Sequence, residues 1–480
     1  LEVGSMVEVV SNSGVTVYGV VQWLGVPEGK TAKWAGIELD YEVKSCCDGM
    51  YRGQRYFTCK VGRALFVPVT KLNPDRRFVS LSTGNENLKP TDEPPGFSDP
   101  EFEDPEEDVP PIPESEALSL LVGRMKGIQG HINSCYLDAT LFSLFGSSMT
   151  LDNIWKKPAD TEKPITCTLR KVVNRLRRQG FVPAESVMNF RKELGCDTFR
   201  TEELLCLSAD PEEFITVLFQ KVLCMQPLIK LRSGQETCQG AYTLQIFLEK
   251  EQMGQMPSVQ QLLDTSCLSG DLKFEEMPSC LMVQMPRFGN KYKMFSHIIP
   301  STELDITDLL YNSPRECFIC GHLAAFECLQ CLPDRKLQPG RIKQYCSTCN
   351  SQVHSHPARQ GHSPKALSVP ARSESPVPRH VMQLLAVLCI QTSHYVSFVK
   401  FGPDPRSWVF FDSMADRCGD GPSGYSIPVV RACPELGDFL YLPEEELARS
   451  NHSQAPELVR RLLSDSYMFL YQNPATPLSK

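Results

Sequence analysis

Apolar residues recur at Leu137, Leu141, Leu144 and Phe145, the i, i+4, i+7 and i+8 spacing of one helix face. The same period returns at Leu169, Val172, Val173 and Leu176, which predicts a helix over 166–179 with its basic residues on the opposite, solvated face. Pro183 breaks the pattern, and another helix is expected over 184–194. Ser208-Ala209-Asp210-Pro211-Glu212-Glu213-Phe214 reads as a helix start, with a polar cap and an acidic first turn. Downstream the pattern changes. Ser279 to Phe288, Leu384 to Val399, Trp408 to Phe411 and Tyr467 to Tyr471 are short apolar runs of strand character. Helices first and strands later predict an α+β domain over residues 120–480.

Residues 1–76 follow a third pattern. Strand-like runs at Val7–Val10, Val15–Trp23, Trp34–Asp40, Arg55–Thr58 and Ala64–Val69 are separated by glycine-bearing turns, which predicts a small all-β domain. Residues 77–119 join the two domains. From about Pro90 to Glu116 they are rich in Pro, Asp and Glu, with too few apolar groups to offset the entropy of ordering, so an extended acidic tether is expected.

The 480 residues are 41% hydrophobic and 22% charged, which fits folded domains. A formal net charge of −8 argues against nucleic acid as a partner. No apolar run reaches transmembrane length, and the start shows no secretory signal. The first residue is Leu, so the chain is expected to be part of a longer one. The 20 cysteines include C-x-x-C pairs clustered in one short region, which points to a metal site in a reducing, cytoplasmic setting rather than to disulfides.

That region, 313–366, runs Cys317-x-x-Cys320, Cys328-x-x-Cys331, Cys346-x-x-Cys349, His354, His362. A C-x-x-C turn presents two thiolates to one tetrahedral ion, and zinc takes four S or N ligands. Eight ligands make two structural zinc sites. An interleaved pairing puts Cys317, Cys320, Cys346 and Cys349 on one ion, and Cys328, Cys331, His354 and His362 on the other; pairing in consecutive order also satisfies the spacing. His322 and His356 are spare candidates. Closed sites of this kind supply folding energy and leave no position for catalysis.

Cys135 follows Gly127-Ile128-Gln129-Gly130-His131-Ile132-Asn133-Ser134 and opens the first predicted helix, with Asn133 or Ser134 at the cap position. The positive end of the helix dipole then lies at its sulfur, which favours the nucleophilic thiolate. A buried structural thiol is the alternative. A cysteine nucleophile needs a base, and the base needs an orienting group. Four of the nine histidines lie in the metal-binding region; of the rest, His394 stands between two apolar strand runs. Asp412 closes the apolar run Trp408–Phe411, where a buried carboxylate requires a partner. Cys135, His394 and Asp412 together form a candidate nucleophile, base and orienter.

Two resemblances follow. Tyr18-Gly19-Val20-Val21, Trp34-Ala35-Gly36-Ile37-Glu38-Leu39 and Gly53-Gln54-Arg55-Tyr56-Phe57-Thr58-Cys59 make the first domain resemble a CAP-Gly domain, an SH3-like barrel. The family's Gly-Lys-Asn-Asp-Gly motif is here Ser45-Cys46-Cys47-Asp48-Gly49, so an acidic tail is not the expected ligand. Trp34, Tyr56 and Phe57 are candidates for holding a proline-rich peptide, or simply fill the barrel. Residues 120–480 resemble a ubiquitin-specific protease domain. The cysteine box is Gly127 to Tyr136; Asp210 to Phe214, Ser279 to Phe288, the segment around His394-Tyr395, Trp408 to Ser413 and Ser466 to Tyr471 match the later boxes. The metal-binding insert resembles a B-box or RING-like cross-brace.

The resemblance implies a papain-like fold of thumb, palm and fingers. It implies that Cys135 attacks the carbonyl of ubiquitin's terminal glycine, that His394 serves as base and acid, and that Asp412 orients it. For a member with a CAP-Gly domain ahead and a B-box within, it implies linear and extended lysine-linked ubiquitin chains as substrates. It also implies a damping role in NF-κB signalling, contact with the NEMO subunit of the IκB kinase, and a cytoplasmic, perinuclear or microtubule- and cilium-associated location. Two departures stand out. The family's oxyanion-binding Asn, five residues before the nucleophile, is here Gly130, which leaves Asn133 and the Cys135 N–H as candidate donors. The cysteines of the finger region, Cys224, Cys238, Cys267 and Cys280, form no C-x-x-C pair, so no finger zinc is expected. The rival to an enzyme is a catalytically weak scaffold that binds ubiquitin and peptides.

Overall fold

The computed structural model describes residues 3–10, 16–27, 30–39, 43, 46–74, 109–131, 133–146, 164–194, 210–234, 238–248, 256–286, 293–338, 341–368, 377–418, 425–443, 446–447, 450 and 454–474. The predicted tether before residue 109, the segment Ser208-Ala209 and the end of the predicted strand at Arg287-Phe288 lie outside the described residues.

Alternating valines build the N-terminal unit. Its five-stranded sheet runs in the order Ala64–Pro68, Trp34–Leu39, Thr16–Gly25, Met6–Val10 and Leu72–Pro74, each neighbour antiparallel. Val7, Val9, Val21, Ile37 and Leu39 turn to one side and form its core. The strand expected at Arg55–Thr58 is shorter: Gln54–Arg55 pairs with Met50–Tyr51, and the chain then leaves the ladder so that Tyr56 and Phe57 pack on Phe66.

A nine-stranded sheet organises the larger unit. Its order is Leu244–Gln245, Cys280–Gln284, Ser466–Gln472, Val381–Gln391, His394–Lys400, Trp408–Cys418, Tyr425–Ala432 and Gly123–Arg124, with Glu303–Asp305 also on Val381–Gln391. The central strands read as continuous apolar runs because both faces are covered. Leu388, Ile390, Val399, Val409 and Phe411 face a helical layer. Val387, Cys389, Val396, Phe398 and Phe410 face a second core closed by the helices Val259–Ser269 and Glu457–Asp465.

The helix Cys135–Phe145 is buried on every side and crosses the strands His394–Lys400 and Trp408–Cys418. Phe142 stacks on Phe411 with ring centroids 4.2 Å apart. Leu169, Val172, Val173 and Leu176 are buried on Pro164–Gln179, as the periodicity predicts. Arg177 is the exception to that helix's solvated basic face. It is buried, donating to the Phe145 carbonyl at 2.9 Å and the Val109 carbonyl at 2.8 Å.

Val109 lies in the predicted linker 77–119, and the described end of that linker is not an extended tether: the helix Glu114–Leu121 starts within it, and Ile112 and Ala117 enter the helical core together with Leu121. Acidic residues dominate the local composition, but three well-spaced apolar groups suffice to dock one turn after another. Glu114 also accepts from the Ser407 hydroxyl at 2.5 Å.

The metal-binding insert leaves the sheet after Glu303–Asp305 and returns at Val381–Gln391. Its strands Phe326–Glu327, Gln344–Tyr345 and Lys365–Ala366 form a separate sheet beside the helix Ser347–His354. A buried ionic cluster fixes it to the strand Leu272–Phe274: Glu327 accepts from Arg315 of the insert at 2.8 Å and from Lys273 of that strand at 3.1 Å.

Candidate active site and metal centres

Cys135 is the first residue of its helix, next to Ser134 at the cap. The preceding Asn133 is exposed and adopts a φ of +56°, a left-handed turn that swings the chain into the helix. The cap does not work as the sequence suggests. The Ser134 hydroxyl makes no cap bond; it accepts from the His131 N–H at 2.8 Å and donates to Asp138 Oδ2 at 2.6 Å.

The strands Val381–Gln391 and His394–Lys400 form a hairpin whose two-residue tip is Thr392-Ser393. That tip brings the Ser393 carbonyl within 3.8 Å of Cys135 Sγ and places His394 at the strand start. His394 Nε2 lies 2.7 Å from Asp412 Oδ1 on the neighbouring strand. The Met414 N–H holds the same carboxylate oxygen at 2.9 Å. The second side-chain partner of His394 is Cys135. With Nε2–H donated to Asp412, Nδ1 is left to serve the thiol. The structure therefore brings all three predicted residues together.

Burial opposes charge on His394, but the Asp412 carboxylate and the Cys135 sulfur outweigh it and push the imidazole up to about 10. Burial also opposes charge on Asp412. There His394, Arg461 and the Met414 N–H prevail, and the carboxyl is held below its ordinary value. The arrangement sets a strongly basic imidazole between the Asp412 carboxylate and the Cys135 sulfur.

Gly130 has a structural reason. Its N–H donates to the Ser413 carbonyl at 3.0 Å, and a Cβ there would come within 2.5 Å of Met414 Cγ. A side chain at this position requires the Met414 side chain to move aside.

Several residues around the site escaped the sequence reading. Tyr395 and Tyr467 both donate to Asp210 Oδ2, at 3.3 and 2.6 Å, while Asp210 Oδ1 caps the helix Pro211–Val217 through the Glu212 N–H. This clamp holds the histidine strand against the helical layer. Asp138 is the other. A carboxylate amid the apolar run of the nucleophile helix was a visible signal, since burial of such a group demands partners.

The metal ligands assemble in the interleaved order. Ligand atoms of Cys317, Cys320, Cys346 and Cys349 lie within 4.8 Å of one another, as do those of Cys328, Cys331, His354 and His362. Cys331 Sγ is 3.5 Å from His354 Nε2 and 3.3 Å from His362 Nδ1, and Cys320 Sγ is 3.7 Å from Cys346 Sγ. A tetrahedral zinc with bonds of about 2.0–2.3 Å sets its ligand atoms roughly 3.3–3.8 Å apart, so both donor sets fit that ion. His354 Nδ1 faces the Asn350 carbonyl at 2.9 Å, which fixes the tautomer and frees Nε2. His322 and His356 belong to neither set; His322 Nδ1 lies 3.3 Å from Cys320 Sγ, and His356 caps a short turn through the Ala358 N–H. In the finger region, Cys267 and Cys280 fill the core, where burial pushes each thiol up to about 12, and Cys224 and Cys238 are exposed.

In the N-terminal unit Trp34, Tyr56 and Phe57 are half-buried in one aromatic cluster with Trp23, Tyr51 and Phe66. Trp23 and Tyr56 have centroids 4.5 Å apart, and Lys30 Nζ stands 4.8 Å over the Trp34 ring. Gly36 beneath them leaves room for Phe57, whose ring a Cβ would meet at 2.5 Å.

Comparison with known proteins follows this geometry. The family model for ubiquitin carboxyl-terminal hydrolase matches residues 126–471, and that for the CAP-Gly domain matches residues 3–72. The chain is 44% identical over 499 aligned positions to the "Ubiquitin carboxyl-terminal hydrolase CYLD" of Homo sapiens, covering 100% of this chain and 51% of that protein. The Bos taurus protein of the same name matches at 44% with the same coverage. The chain thus spans about half the length of the curated relatives it matches. Among solved structures, the CAP-Gly domain in human Kinesin-like protein KIF13B is 31% identical, with 16% of this chain and 70% of that chain covered and a TM-score of 0.14. With its cysteine, histidine and aspartate assembled inside the matched region, the chain belongs to the ubiquitin carboxyl-terminal hydrolase family.

Proposed function

We propose that this chain hydrolyses the isopeptide or peptide bond that follows the C-terminal glycine of ubiquitin. The observation that carries the reading is the 2.7 Å contact of His394 with Asp412, set beside the Cys135 thiol at a helix start. Cys135 Sγ attacks the glycine carbonyl carbon, and its proton resides on His394. Asp412 keeps the ring oriented and stabilises its charge. The Cys135 N–H, left over at the helix start, donates to the developing oxyanion, with the Asn133 amide as a second candidate. Collapse breaks the carbon–nitrogen bond, and the leaving amine takes the proton from His394. Water then attacks the thioester with His394 as base, releasing ubiquitin and restoring the thiol.

The substrates we propose are linear chains and extended lysine-linked signalling chains, with a damping role in NF-κB signalling in the cytoplasm. The support is the resemblance carried by a CAP-Gly domain ahead of the protease and a B-box-like insert within it. The aromatic cluster around Trp34, Tyr56 and Phe57 suits a proline-rich peptide such as one from the NEMO subunit of the IκB kinase. Two zinc ions would be held by the two four-residue sets, supplying folding energy to the insert.

Gly130 favours one second reading, a slow enzyme that acts mainly as a ubiquitin-binding scaffold, because loss of one oxyanion donor typically costs about 10²–10³ in rate. Cleavage of three di-ubiquitins separates the readings: linear, extended lysine-linked, and the compact type that marks proteasome substrates. Cleavage of the first two, abolished by Cys135→Ala, is expected. No cleavage of any by folded, zinc-loaded protein supports the scaffold.

A further inference from the structure

Asp138 takes no part in the steps above, yet it lies within the site. It stands one helical turn after Cys135 and is wholly buried, as is Ser134. Its Oδ2 accepts from the Ser134 hydroxyl at 2.6 Å, and that hydroxyl in turn accepts from the His131 N–H at 2.8 Å. The Arg191 guanidinium donates to the His131 carbonyl at 3.1 Å, so the turn entering the nucleophile is held from both sides. The Ser413 hydroxyl lies near the same carboxylate, with no hydrogen bond between them. Ser413 is the neighbour of Asp412, and its carbonyl accepts from the Gly130 N–H at 3.0 Å.

We propose that Asp138 is a positioning residue of the active site, joining the turn before Cys135 to the strand that carries Asp412. Through Ser134 it fixes the path of the chain into the helix, and so the direction of the Cys135 sulfur and N–H. Buried beside Ser413, whose carbonyl holds the Gly130 N–H, it packs between that turn and the strand of the Asp412–His394 pair. It touches neither substrate nor reacting atoms. The charged groups that act on it are Arg191 and His394, and both favour its carboxylate. Burial outweighs them and pushes its carboxyl up to about 7, so the link works with either protonation state accepting from Ser134.

This inference rests on the cysteine-protease reading, and its test separates the two. The full chain is compared with Asp138→Ala, Asp138→Asn and Ser134→Ala in two assays. The first is steady-state hydrolysis of a fluorogenic amide on the ubiquitin C-terminus. The second, which needs no ubiquitin, is the rate of Cys135 alkylation by iodoacetamide between about pH 5 and 10, read by peptide mass spectrometry. Asp138→Ala and Ser134→Ala are each expected to lower kcat by about 10–100-fold with KM nearly unchanged, and to alter the pH profile of alkylation. Asp138→Asn, which still accepts from Ser134, is expected to retain most of kcat. If Asp138→Ala does not fold, Ser134→Ala against Asp138→Asn carries the comparison. The proposal is overturned if Ser134→Ala and any folded Asp138 variant keep the wild-type kcat and alkylation profile, or if Asp138→Asn loses as much as Ser134→Ala. A wild-type chain that hydrolyses no ubiquitin amide sinks the protease reading, while the alkylation profiles still decide the role of Asp138.

Discussion

His394 Nε2 and Asp412 Oδ1 lie 2.7 Å apart, joining the first residue of one strand to a wholly buried carboxylate on the next. Removing that charge with Asp412→Asn is expected to lower kcat/KM by about 10²–10⁴-fold, because the ring loses both its tautomer and its counter-charge. Single-turnover hydrolysis of a ubiquitin amide measures it.

The same pair sets a pH dependence of stability. His394 is raised from 6.5 to about 10, so its contribution is complete below about 6.5 and is lost as pH rises through about 10. Asp412 is held below 3.8, so its contribution is complete above that value and is lost as pH falls through its own lowered one. The melting temperature of the wild type should therefore fall as pH approaches about 10, and Asp412→Asn should flatten that fall. An equal alkaline decline in both proteins would contradict this.

Gly130 invites an obvious repair, the family's asparagine. Gly130→Asn is expected to reduce stability by about 1–3 kcal/mol instead of raising the rate, since the new side chain collides with Met414. Adding Met414→Ala should recover part of the loss. Urea unfolding of the single and double variants measures both.

Glu327 links the insert to the strand Leu272–Phe274, between two cations, Arg315 and Lys273. Glu327→Ala leaves both buried without their shared anion and should cost about 3–5 kcal/mol. Chelation of the metal should unfold the insert and lower the main melting transition as well, because the insert is anchored at this cluster. Calorimetry with and without chelator shows whether the two transitions move together.

In the N-terminal unit, Tyr56→Ala removes a half-buried ring packed at a tilt on Trp23 and edge-on to Phe66. It should weaken binding of a proline-rich peptide more than tenfold, roughly the 1.4 kcal/mol expected of an aromatic anchor. Isothermal titration against such a peptide, with circular dichroism as the folding control, checks it.

The legible parts of the sequence are those with a strict period or spacing. Leu137, Leu141, Leu144 and Phe145 announced the nucleophile helix because a helix buried in a core must repeat its apolar face. The two metal sets were legible because a C-x-x-C turn has one useful geometry, although spacing alone left the pairing open. The docking of residues 109–119 was not legible, because Glu114 and Glu116 mask the few groups that dock, Ile112 and Ala117. Ser134 stands at the cap position, but its oxygen accepts from the His131 N–H instead of the helix's own N–H groups, and its proton goes to the buried carboxylate one turn on. Nothing local marks Met414 as the neighbour of Gly130, or Tyr467 as a partner of Asp210; the pairing of distant segments brings them there.

The most direct test uses ubiquitin carrying a C-terminal electrophile that traps a thiol. Wild-type protein should form one adduct, which peptide mapping places on Cys135, and Cys135→Ala should form none. Absence of an adduct in folded, zinc-loaded wild type, or an adduct on an exposed thiol such as Cys224, would contradict the assignment of Cys135 as the nucleophile.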